Sequence, residues 1–208
     1  MSRFAFAAVL GATAMASADF AGASYTEEVI SPGEVTYKIF LNYNNPLDQQ
    51  LAVSGNANVS ALQLTASSPL IQKHLVDAVP ADVAGGALAL PGDSWVNIDG
   101  EETQFSPGFL EGQADEFGAL ISGDGFLQAD NGGYFDSNPG TAVTGTSILI
   151  AQFTFAEGTT WTYKGTSDFN AGGNALTNAA FSVSNIPAPG ALALLGLAGL
   201  SRRRRGSF

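Results

Sequence analysis

The chain has 208 residues, no cysteine, and 19 acidic against 8 basic residues, a formal charge of −11. Without cysteine there is no disulfide, thiol nucleophile or thiolate metal site, so a core, bound ions or both must hold the fold. The acidic balance disfavours nucleic acid and anionic headgroups as partners and favours cations.

Taken in chain order, residues 1–18 read as a secretory signal peptide. Arg3 supplies a positive start, Phe4 to Ala16 an apolar stretch, and Ala16-Ser17-Ala18 a small-x-small cleavage site. Ala21-Gly22-Ala23 offers a second cleavage site. In Val35, Tyr37, Ile39, Leu41 and Tyr43, apolar residues alternate with Thr36, Lys38, Phe40 and Asn42, which predicts a half-buried strand. Asn44-Asn45-Pro46 and Asp48 then supply turn chemistry. Leu51 to Val53 and Val59 to Thr65 are expected strands, with Ser54-Gly55-Asn56 as the turn between them. Ser68-Pro69 is expected to start a short helix that turns Leu70, Ile71, Leu75 and Ala78 inward.

From Ala84 to Gly145 the chain is dense in Gly, Asp and Asn, with apolar islands at Trp95 to Ile98, Phe117 to Ile121 and Gly133 to Phe135. Loops and brief strands fit this pattern. A hairpin is expected next. Ile148 to Phe155 forms one arm, with Leu149, Ala151, Phe153 and Phe155 on one face, and Ala156-Glu157-Gly158-Thr159 turns. Thr160 to Lys164 returns with Trp161 and Tyr163 together. Ala179 to Ser184 is the last expected strand, with Phe181 and Val183 on a shared face. Many short strands, frequent turns and almost no helical period predict an all-β protein: a single antiparallel β-sandwich or jelly-roll-like domain over residues 19–185. That body carries Lys38, Lys73 and Lys164 against nineteen acids, a formal charge of −16 that the basic ends partly conceal.

The closing residues 186–208 have three parts. Pro187-Ala188-Pro189 keeps the backbone extended and accessible, Ala191 to Leu200 is a short apolar helix candidate, and Arg202, Arg203, Arg204 and Arg205 form a basic stop. The apolar run is about half the roughly 20 residues that a stable membrane span needs, so membrane contact through it is transient. In order and composition this tail resembles the PEP-CTERM class of bacterial C-terminal sorting signals, with Pro-Ala-Pro where that class usually has Pro-Glu-Pro. The resemblance implies export, an exosortase-like membrane protease as partner, and residence at the cell envelope, the surface or outside the cell. The body is also similar to an uncharacterised extracellular domain found with such tails, through Thr36 to Tyr43, Asp48 to Val53 and Asp93 to Ile98. That likeness brings no activity with it.

Catalytic residues do not assemble from the sequence. His74 is the single histidine; Ser67, Ser68 and Asp77 lie near it, but no Gly-x-Ser-x-Gly elbow accompanies them. Calcium has better support in residue type, because hard cations take oxygen ligands from Asp, Asn and glycine-rich loops. Asp124, Asp130, Asn131, Asp136 and Asn138 form one such group, and Asp93, Asp99, Glu101 and Glu102 a second, neither with EF-hand spacing. Aromatic stacking on a glycan is a further reading: Trp161 with Tyr163 on one strand face, and Trp95 and Tyr134 elsewhere, are available, although the same rings suit cross-strand packing. The expectation is a non-enzymatic, exported structural protein of the envelope or extracellular matrix. The alternatives are a glycan-binding or adhesion module that meets extracellular polysaccharide and, third, an extracellular hydrolase.

Overall fold

The computed structural model describes residues 20–71, 73, 92–99, 103–105, 127–129, 131–136, 138–172 and 175–187. The signal segment, His74, Asp77 and the tail beyond Pro187 lie outside them. The described chain is nearly all β, in two antiparallel sheets that face each other as a sandwich. Its strands are β1 (Phe20–Ser31), β2 (Glu34–Tyr43), β3 (Gln49–Asn56), β4 (Leu62–Ala66), β5 (Trp95–Val96), β6 (Thr103–Phe105), β7 (Leu127–Ala129), β8 (Asn131–Asp136), β9 (Ser147–Ala156), β10 (Trp161–Ala171) and β11 (Ala175–Ser184). Pro139–Thr141 is a single 3-10 turn.

The first sheet runs β1-β2-β9-β5. β1 and β2 form a hairpin through Pro32-Gly33, where Gly33 takes φ +84. A side chain resists that backbone and glycine does not. In the second sheet β11 pairs with β10 over ten consecutive residue pairs. The other side of β10 takes β3 along Thr166–Asn170 and β4 along Trp161–Lys164, so β3 and β4 behave as one strand interrupted by the excursion between them. Beyond them lie β8 and β6 on the β3 side and β7 on the β4 side.

Three expectations are corrected. The stretch Ile148 to Lys164 is not a hairpin. β9 already has β2 on one edge and β5 on the other, so the chain turns at Ala156–Thr159 and crosses to the opposite sheet. Ser54-Gly55-Asn56 is strand, and the turn comes later, closed by the Asn56↔Ser60 bridge and by Asn58 N donating to Asn56 Oδ1 at 3.0 Å. No helix starts at Pro69. Ile71 N instead donates to Thr154 O at 2.8 Å, which holds this segment against β9. Leu75 and Ala78 of the expected helix lie outside the described residues. The strand β1 was not expected at all.

Alternation along β2 holds as expected, with Val35, Tyr37, Ile39, Leu41 and Tyr43 all buried. Along β9 it breaks. Ile39 faces Ala151 and Phe40 faces Leu149, leaving Ile150 as an extra, bulged residue. One inserted residue shifts the phase, so Ile148 and Ile150 are buried and Leu149 leaves the face that Ala151, Phe153 and Phe155 share. The Ile150 carbonyl accepts from Asn97 N at 3.1 Å and, from across the sandwich, from the Tyr134 hydroxyl at 2.8 Å. A second bridge between the sheets joins Tyr43 of β2 to Gln50 and Ser167: the Tyr43 hydroxyl donates to Gln50 Oε1, and Ser167 Oγ donates to the same oxygen at 2.9 Å.

Aromatic rings fill the space between these bridges. Trp161 meets Tyr25 and Tyr37 edge-on with centroids 5.2 and 5.1 Å away, and Tyr163 does the same to Phe153 and Phe181 at 5.1 and 5.4 Å. Such pairs contribute about 0.5–1.5 kcal/mol each beyond their burial. Gly165, opposite Phe181, leaves room for that ring: a Cβ there would sit 2.9 Å from Phe181 Cε1 and 2.8 Å from Leu62 Cδ1.

Candidate functional site

Three places bear on function: the exit of the chain toward its tail, the expected ligand residues, and the outer face of the second sheet. The exit is set by Asn185. Its Oδ1 accepts from Trp161 N at 2.7 Å, its Nδ2 donates to Thr159 O at 2.7 Å, and its own N donates to Trp161 O at 3.3 Å. One asparagine therefore closes the end of β11 onto the start of β10, supplying partners that the ladder no longer can. Ile186 is half-exposed and Pro187 exposed immediately after it. Ala188, Pro189 and Arg202 to Arg205 lie outside the described residues.

The stacking residues are corrected. Trp161 is 1% and Tyr163 0% exposed, both in the core against the rings named above, so no sugar face can reach them. They do share a face, as expected from their spacing. It is the inner face, because β10 is a central strand whose inward side packs on the opposite sheet. Tyr134 is likewise buried, and burial raises the Tyr134 and Tyr163 hydroxyls well above the ordinary tyrosine value.

Of the calcium group, Asp136 and Asn138 are described, Asn131 is described only as part of β8, and Asp124 and Asp130 lie outside the described residues. Asp136 is buried; its Oδ1 accepts from Asn138 N at 2.7 Å, while its Oδ2 is buried with no partner. Asn138 is exposed. Of the second acidic group, Glu101 and Glu102 lie outside the described residues; Asp93 Oδ1 accepts from Lys73 N at 2.9 Å and Ser94 N at 3.0 Å, which makes Asp93 a brace for its loop. Lys73 Nζ also donates to Glu34 Oε2 at 2.5 Å, and this ammonium holds the Glu34 carboxyl below its usual range. Asp99 has its carboxyl raised by desolvation. Among the described residues no three His, Cys, Asp or Glu side chains gather in one place.

The outer face of the second sheet was not singled out in the sequence. The register sets Phe135, Ala52, Asp168 and Asn178 side by side across β8, β3, β10 and β11. A second row carries Gly133, Ser54, Thr166 and Ala180. Small residues predominate in the second row, and no side chain fits on Gly133, where a Cβ would lie 2.1 Å from Val53 O. The result is a groove of about 850 Å³, with Leu51, Phe135 and Leu176 among its apolar lining and the Asn56–Asn58 turn contributing amides. Thr166 Oγ1 donates to Ser60 O at 3.1 Å and pins that turn over the sheet. On the floor, Ser54 Oγ donates to Asp168 Oδ2 at 2.5 Å, and Asn178 Nδ2 donates to Asp168 Oδ1. Period-two alternation on β3, β10 and β11 could have located these residues, had their pairing been legible. No family model matches the chain, and comparison with curated proteins and with solved structures gave no match to it.

Proposed function

We propose that the chain is an exported, non-enzymatic structural protein of the cell envelope or extracellular matrix, delivered by its signal peptide and handed by its tail to an exosortase-like membrane protease. One observation carries this reading: the ladder closes at Asn185, and Ile186 and Pro187 follow it exposed, so the first residue of the Pro187-Ala188-Pro189 motif is accessible. A protease needs an extended, accessible backbone, and cleavage beyond Ile186 leaves the Asn185 bonds that close β11 onto β10 in place. Exported without cysteine, the body relies on its buried aromatic core.

Paired-carboxylate glycoside chemistry takes two acids, and Asp168 is the one carboxylate among the described residues that line the groove. Calcium belongs to the proposal through one atom, the buried and unpartnered Asp136 Oδ2, since such an oxygen is stabilised by a cation. Intact-mass measurement of the protein recovered from its native host tests the sorting reading. The expected product starts after Ala18 and ends between Asn185 and the arginines; a recovered chain that keeps both termini would overturn it.

A further inference from the structure

We infer that the outer face of the second sheet is a binding site for a neutral polysaccharide chain; the inference rests on the reading of the protein as an exported surface or matrix domain. Three features of the groove converge on that ligand class. First, its shape is a trough. Phe135 and Asn178 stand at the ends of a row crossing four strands, three inter-strand spacings or roughly 14 Å apart, the length of a short oligosaccharide. Between them only Ala52 and Asp168 rise, with bare Gly133 beside Ser54 in the next row. Its volume of about 850 Å³ lies within the roughly 300–1,000 Å³ of ordinary ligand clefts.

Second, the polar groups are of the kind that hydroxyls read. Asp168 is held in place by Ser54 and Asn178, each of its oxygens accepting one hydrogen bond from them. A carboxylate has roughly four acceptor positions, so each oxygen keeps capacity for a sugar hydroxyl, and the asparagine amides of the lining offer both donors and acceptors. A buttressed acceptor of this sort recognises direction without having to be reorganised on binding. Third, the apolar lining lies beside these groups, with Phe135 half-buried and Leu176 67% exposed, as the C–H faces of sugar rings require.

Charge decides between polysaccharide classes. Among the described residues no Lys, Arg or His lines the groove and its one charge is the Asp168 carboxylate, and the body as a whole is strongly acidic. Polyuronates and sulfated glycans are repelled by that field, whereas neutral chains are indifferent to it. A basic peptide would want several carboxylates, and this lining presents one among amides and hydroxyls.

Affinity electrophoresis of the full chain through gels containing dextran, mannan or xylan, with a polyuronate gel alongside, tests the inference. At least one neutral polysaccharide should retard the protein and the polyuronate should not. Phe135→Ala and Asp168→Asn should each weaken the retardation tenfold or more, and Ala52→Tyr, which fills the floor of the trough, should abolish it with the melting temperature kept. Migration unaffected by every neutral polysaccharide would overturn the inference, as would retardation by the polyuronate alone or retardation that survives Ala52→Tyr. None of these results bears on where the chain is cleaved in its host, so the site and the sorting reading fail separately.

Discussion

At the scale of single residues, Asn185 does the work of a whole strand end. It receives the Trp161 N–H and gives its own amide proton to Thr159 O, both at 2.7 Å, so one side chain satisfies two backbone groups of β10's approach. Asn185→Ala leaves both without their partner, and an orphaned polar group costs about 1–3 kcal/mol. We therefore expect the urea midpoint to fall while the slope of the transition stays constant, and limited proteolysis to begin nibbling into β11 from the tail. Asn185→Asp should recover only the Trp161 contact. Asp136 is the other residue with a single decisive atom. If its buried Oδ2 holds calcium, added calcium raises the melting temperature, EDTA reverses the gain, and Asp136→Ala abolishes the response. A melting temperature that ignores both additions removes calcium from this protein.

At the scale of elements, legibility followed the hydrogen-bonding partner. β2 was readable because its residues alternate without interruption and the core sits on one side, so period two is the whole story. β9 reads less well: an inserted Ile150 reverses the phase halfway along, and a bulge has no local composition that announces it among Ile, Leu and Ala. The turn Ala156–Thr159 was visible, through Gly158 at φ +85, but its meaning was not. A tight turn reverses the chain in a hairpin and in an inter-sheet crossing alike; which of the two forms depends on whether β9 still has a free edge, a fact supplied by the distant β5 through Trp95↔Gln152 and Val96↔Ala151. β1 escaped for a similar reason. Tyr25 and Phe20 are its strongest core contacts, and Glu27 and Glu28 blur the alternation between its buried and exposed faces. The groove inherits this difficulty, since four strands separated by up to 126 residues set its floor and only their register brings Phe135, Ala52, Asp168 and Asn178 into a row.

At the scale of the whole molecule, the two sheets are tied by tyrosine hydroxyls, and that makes the sandwich sensitive to alkali. Tyr43, Tyr134 and Tyr163 are buried, and desolvation raises the pKa of each well above the ordinary value of 10.0, against the partial relief that Ser167 gives Tyr43 and that Tyr134 gives Tyr163. The folded state therefore keeps protons that the unfolded state releases. Below pH of about 10 both states are protonated and the full stability is present; above it the unfolded chain gains by ionising. Stability should then fall by about 1.4 kcal/mol per pH unit for each such tyrosine until the folded pKa is reached. Chemical denaturation measured at successive pH values should show a plateau and then a steep decline beginning near pH 10, with tyrosinate absorbance rising together with loss of the native circular dichroism. Tyr43→Phe should make the decline shallower by one tyrosine's share, at the cost of the bridge to Gln50. Tyrosines that ionise near their ordinary value while the sheets stay intact would mean that these hydroxyls meet water, and the sandwich would then be held by its rings and ladders without the two cross-sheet ties.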